Sequence, residues 1–131
     1  MKALPVLLLL GGATALGVVL GIQYLRRIRS QPVLIGMHLL LGAGGMEVLA
    51  MLLRGAPDGT LWSGTGMVKI AAGLVALAMV TGLVAPMIGR GSRRTMNVAL
   101  ATHVSIAVAG IALLLAWLLR GGAHTLVGSL P

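Results

Sequence analysis

An all-α, membrane-spanning up-down bundle of four helices, built as a tandem pair of helical hairpins, is the fold class this sequence predicts. Three observations predict it. The chain is 58% apolar and only 9% charged. Its charges divide it into four long stretches: 3–25, 70–89 and 95–119 carry none, and 30–53 carries only Glu47. Each stretch is about 20 residues or more, enough to cross the roughly 30 Å hydrocarbon layer as a helix. Finally, the chain matches itself at an offset of 65 residues, which superposes Gly17 on Gly82, Val19 on Val84, Arg29 on Arg94, Val33 on Val98, His38 on His103, Gly45 on Gly110 and Leu49 on Leu114. Matches of Val and Leu are cheap in so apolar a chain; those of Arg, His and Gly are not. Leu52-Leu53-Arg54-Gly55 also returns, one residue out of register, as Leu118-Leu119-Arg120-Gly121.

The elements follow in order as helices over about 3–25, 31–53, 66–88 and 95–119, forming one domain over 1–131. The first begins like a signal peptide, with Lys2, an apolar run from Leu4 to Leu10, and Ala13-Thr14-Ala15. We read it as a retained helix. Ser30 is placed to cap the second helix, with Pro32 in its first turn, and Thr95 to cap the fourth, because each offers a side-chain oxygen to unpaired backbone N–H groups. Pro86 falls late in the third helix, where it bends or ends the last turn. Gly55 and Gly121 read as helix stops. Short connections make neighbouring helices antiparallel. No alternating strand pattern competes with this reading.

The charges set topology. Arg26, Arg27 and Arg29 lie between helices one and two, and Arg90, Arg93 and Arg94 between helices three and four, whereas Lys2, Arg54, Lys69 and Arg120 fall at the opposite ends. Both carboxylates, Glu47 and Asp58, belong to that weaker side. The positive-inside rule then puts the two Arg-rich loops in the cytoplasm and both termini outside, in a multi-pass protein of a cell or inner membrane. Tyr24, Trp62 and Trp117 fall near the interfaces, where amphipathic rings settle. A net charge of +8 invites a nucleic-acid reading, but the arginines cluster at helix ends and no aromatic platform accompanies them, so nucleic acid is not an expected partner.

Candidate chemistry is confined to few residues. The chain has no Cys, which excludes disulfides, iron–sulfur clusters and covalent c-type haem. No Ser–His–Asp set, paired carboxylates, phosphate loop or HExxH motif is present, so no hydrolytic or phosphoryl-transfer site is expected. His38 and His103 stand out because imidazoles inside apolar spans are expensive. Each follows an arginine by nine residues, about 13 Å along a helix, which gives the two rings matching depth. Small residues follow on the same face: Gly42 and Gly45 after His38, Ala107 and Gly110 after His103. Two imidazoles facing a slot lined by Gly42, Gly45 and Gly110 suit a porphyrin with one axial nitrogen from each side. Arg29 and Arg94, joined by Arg27 or Arg93, then lie where propionates need cations.

On these residues, Gly-Met-His38-Leu-Leu-Leu-Gly-Ala-Gly-Gly45 and Thr-His103-Val-Ser-Ile-Ala-Val-Ala-Gly110, the chain resembles the transmembrane b-type cytochromes. The resemblance implies one non-covalent haem b with His38 and His103 as axial ligands to iron. It also implies electron transfer between a quinone or another donor and a partner protein, as a cytochrome b subunit of an oxidoreductase in a larger membrane complex. The chain departs from that family in having no Phe to line a haem pocket and only one pair of intramembrane histidines. Two other readings stand beside it: a non-redox accessory subunit whose histidines hydrogen-bond neighbouring helices, and a small proton or metal carrier using His38, His103 and Glu47. Glu47, half a turn from the His38 face, is expected to pair with Lys69 and so lower the burial cost of both. The seven internal methionines are scattered and read as core filling, and His124 reads as a solvated tail residue.

Overall fold

In this computed structural model, the described residues are 4–54 and 66–122. The expectations for Lys2, Gly55, the Pro57-Asp58-Gly59 loop, Trp62, His124 and both termini lie outside them. Among the described residues the chain is all helical: α1 (Leu4–Leu25), α2 (Pro32–Arg54), α3 (Gly66–Ile88) and α4 (Arg93–Trp117). A 3₁₀ turn, Gly89–Gly91, joins α3 to α4, and a π-helical turn, Leu118–Gly122, follows α4. All four helices are long and apolar enough to cross a membrane. The chain divides into two compact units, 1–52 and 53–131, one hairpin in each.

Helix ends correct several expectations. Helix two starts at Pro32, and the carbonyl of Gln31 accepts from the N–H groups of Leu34 and Ile35, so Gln31 rather than Ser30 stands at its N-cap. Proline at the first helical position is favoured because its missing N–H would be unpaired there in any case. Helix four starts two residues early: Ser92 is extended, its carbonyl accepts from Met96, and Thr95 lies inside the helix. The Ser92 side chain makes no capping bond. Gly121 does not stop α4 either, since α-geometry gives way after Trp117 to the π turn, with the Leu118 N–H shared between the carbonyls of Leu114 and Leu115.

The two inter-helix turns are built differently. After α1, the Arg27 N–H bonds the Tyr24 carbonyl and the Ile28 N–H bonds the Gln23 carbonyl. That pair of bonds is the Schellman arrangement, whose penultimate position takes a left-handed backbone and is usually glycine. Here Arg27 occupies it, at φ 59°. After α3, the turn passes instead through Gly89–Gly91. An added Cβ on Gly89 would lie 2.6 Å from the Met96 sulfur and 3.2 Å from its Cα, so glycine lets the start of α4 fold back closely.

Each hairpin is inverted relative to a water-soluble protein. Many of its buried positions are small or medium, Val6 and Ala13 on α1 and Ala71, Val75, Ala78 and Ala85 on α3, with Leu10, Leu49, Leu114 and Leu118 buried beside them. Leu8, Val33, Leu40 and Val98 are 66%, 68%, 72% and 60% exposed. Among the described residues no polar or charged one is buried. Water would penalise such a surface by about 25 cal/mol per Å² of apolar area. Lipid does not, and there association comes from close backbone approach through small residues.

The 65-residue repeat reappears in what is buried. Val6, Leu10, Ala13, Gly45 and Leu49 are buried in the first unit, and so are their counterparts Ala71, Val75, Ala78, Gly110 and Leu114 in the second. Gly45 faces Leu10, and an added Cβ would lie 2.6 Å from Leu10 Cδ2 and 3.3 Å from its backbone nitrogen. Gly110 faces Val75, with an added Cβ 3.2 Å from both Val75 Cγ2 and its backbone nitrogen. Within each hairpin, contacts near one end of the first helix meet the far end of the second, so the pair is antiparallel.

The left-handed Arg27 gives the first prediction. Replacing Arg27 by Gly and by Ala removes the same charge, but only glycine relieves the backbone. We expect Arg27→Gly to be more stable than Arg27→Ala by about 1 kcal/mol in thermal unfolding of the detergent-solubilised protein. Equal stability of the two variants would show that this turn is not left-handed.

Candidate functional site

The two histidines within the apolar helices α2 and α4 occupy equivalent places. His38 Nδ1 lies 2.8 Å from the carbonyl oxygen of Ala13 on α1, and His103 Nδ1 lies 2.8 Å from that of Ala78 on α3. Ala13 and Ala78 are themselves 65 residues apart, so the repeat extends to the hydrogen bond. A carbonyl can only accept, so each Nδ1 carries the proton. In the neutral ring the lone pair then belongs to Nε2. Both rings are half-buried.

Glycine makes these bonds possible. An added Cβ on Gly17 would lie 3.1 Å from His38 Cε1 and 3.5 Å from its Nδ1. On Gly82 it would lie 2.8 Å from His103 Cε1 and 2.9 Å from its Nδ1. The ring therefore rests on the glycine one turn beyond its acceptor, and a side chain there displaces it. Hydroxyls mark where the hairpins diverge. Thr81 Oγ1 donates to the same Ala78 carbonyl at 2.9 Å, whereas Thr14 Oγ1 donates to Leu10 at 2.7 Å. Ala78 O thus receives two side-chain donors, His103 and Thr81.

The other expected site residues are distributed as follows. Gly45 and Gly110 are each covered by the first helix of their own hairpin, while an added Cβ on Gly42 would meet nothing within 4 Å. Arg29 is exposed in the turn before α2, and Arg94 is exposed in the first turn of α4. Their nine-residue spacing from histidine is therefore not one helical path in both repeats. Only Arg94 and His103 share a helix, because Pro32 starts α2 three residues after Arg29. Glu47 and Lys69 are each exposed on their own hairpin. Among the described residues no three His, Cys, Asp or Glu side chains gather where they could share a metal ion.

Reading the sequence did not reveal Ala13, Ala78, Gly17 or Gly82 as part of this site. The Gly17–Gly82 match was visible, and it was the available signal. No protein-family model, curated protein or solved structure matches this chain.

If Gly82 exists to admit the imidazole, Gly82→Ala and His103→Phe remove one interaction by two routes. Each is expected to destabilise the protein by about 1–3 kcal/mol, and the double variant to lose clearly less than the sum. Strict additivity in a denaturation cycle would mean that the glycine and the ring do not act together.

Proposed function

We propose that this chain is a membrane electron-transfer subunit that would hold one haem b through the imidazoles of His38 and His103. The observation that carries this reading is the shared hydrogen bond from Nδ1–H to a helix carbonyl. It assigns the basic lone pair to Nε2 in both rings. In metal-ligating histidines, a hydrogen-bond acceptor on the other ring nitrogen fixes tautomer and orientation. Two such imidazoles are of the donor type that would hold a haem. When bound, haem would supply a one-electron couple, whose potential depends on its ligands, on the hydrogen bonds those ligands make and on burial.

This chain's own residues divide the remaining work. Ala13 and Ala78 hold the imidazoles by their carbonyls, Gly17 and Gly82 admit the rings, and Gly45 and Gly110 bring α1 against α2 and α3 against α4. Gly42 leaves open space beside the His38 helix for a flat group. Arg29 and Arg94 are the cations for propionates. In this reading the two hairpins form one up-down bundle with the Arg-rich turns in the cytoplasm, and a quinone or a partner protein exchanges electrons with the haem.

A second reading has its own support. The same hydrogen bonds, with the rings seated on Gly17 and Gly82, also suffice for histidines that merely clasp each hairpin in an accessory membrane subunit. An absorption spectrum separates the two. Haem ligation predicts a reducible Soret band in protein purified from haem-replete cells, near one haem per chain, lost in both His38→Ala and His103→Ala. Folded protein without such a band, before and after reconstitution with haemin, refutes the haem proposal and leaves the clasp.

A further inference from the structure

The second hairpin carries a groove that its histidine does not explain. It runs along the α3–α4 seam with a volume of about 320 Å³, lined by Val80, Thr81, Val84 and Ile88 from α3 and by Val98 and Thr102, among others, from α4. The lining is almost wholly apolar. Thr81 directs its hydroxyl to the Ala78 carbonyl, so it adds no unpaired polar group. From Val80 to Ile88 the groove follows eight residues of helix, about 12 Å, close to the depth of one leaflet of a roughly 30 Å hydrocarbon layer.

Its Ile88 end opens at the most basic part of the hairpin. Arg90 lies in the turn immediately after Ile88, and Arg94 lies one helical turn before Val98, with Arg93 beside it. All three are exposed. No Asp or Glu occurs anywhere in 66–122, so this hairpin contains no carboxylate to neutralise them. The first hairpin is built otherwise on the same face. Where the groove has Thr81, Ala99 and Thr102, the equivalent positions hold the larger Leu16, Leu34 and Met37.

We propose that this groove binds one acyl chain of an anionic phospholipid, whose phosphate meets Arg90, Arg93 and Arg94. Apolar depth of one leaflet ending at an uncompensated cationic cluster matches the two parts of such a lipid, and basic sites between membrane helices select anionic headgroups. The proposal does not depend on haem.

Native mass spectrometry of the detergent-solubilised full chain tests it, with phosphatidylglycerol and phosphatidylcholine of identical acyl chains as probes. Phosphatidylglycerol should bind more tightly by about fivefold for each arginine engaged. Replacing all three, Arg90→Gln with Arg93→Gln and Arg94→Gln, should abolish that preference. Ala99→Leu with Thr102→Met, which installs the residues of the first hairpin, should lower retention of phosphatidylglycerol. The single Thr102→Met variant, checked for helix content by circular dichroism, gives the same reading if the double variant does not fold. Equal retention of the two lipids by the unmodified chain, or unchanged phosphatidylglycerol retention in a folded, groove-filled variant, overturns the proposal.

Discussion

One hydrogen bond, made twice, organises the interior of each hairpin. The imidazole of His38 reaches the carbonyl of Ala13, and that of His103 reaches the carbonyl of Ala78. In an apolar span an imidazole N–H without an acceptor is costly, so the ring must find one. Helix carbonyls are already engaged along their own helix, but each retains a second lone pair. Reaching it demands that two helices approach closely, and that demand accounts for the glycines. Gly17 and Gly82 admit the ring, while Gly45 and Gly110, two turns beyond the histidines, let α2 and α4 close on Leu10 and Val75.

The same economy explains the distribution of side-chain size. Alanine, glycine and valine supply much of the buried surface, and leucine, valine and isoleucine populate the exposed faces. Where lipid tails are as apolar as leucine, large side chains gain little by turning inward, and close backbone approach becomes the main source of attraction. A membrane helix-to-helix hydrogen bond of this kind contributes only about 0.6 kcal/mol on average. Its larger consequence is chemical. It selects which imidazole nitrogen is protonated and which carries the lone pair.

The spans and the duplication were legible because both leave plain traces: uncharged stretches of membrane length, and rare residues repeated at a constant offset. The start of α4 was not, because Ser92 caps it through backbone geometry alone while Thr95, with the more conspicuous side chain, falls within the first turn. Nor was the left-handed turn at Arg27, where the residue type gives no sign of it. The candidate site was half readable. Histidines announce themselves, but their acceptors are backbone carbonyls, which every residue has, so Ala13 and Ala78 carry no mark in the sequence. The glycines were visible as repeats; whether they faced a cofactor or a helix is a matter of geometry, and Gly45 and Gly110 face a helix.

The protonation pattern of the two rings tests this account most directly. Solid-state NMR of the ¹⁵N-histidine-labelled protein in lipid bilayers, at a pH where the rings are neutral, distinguishes the two nitrogens of each imidazole. His38 and His103 are both expected to carry the proton on Nδ1, with Nε2 unprotonated. Protonation on Nε2 in either ring would contradict the carbonyl bond on which the hairpin, and the ligand role proposed for it, depend.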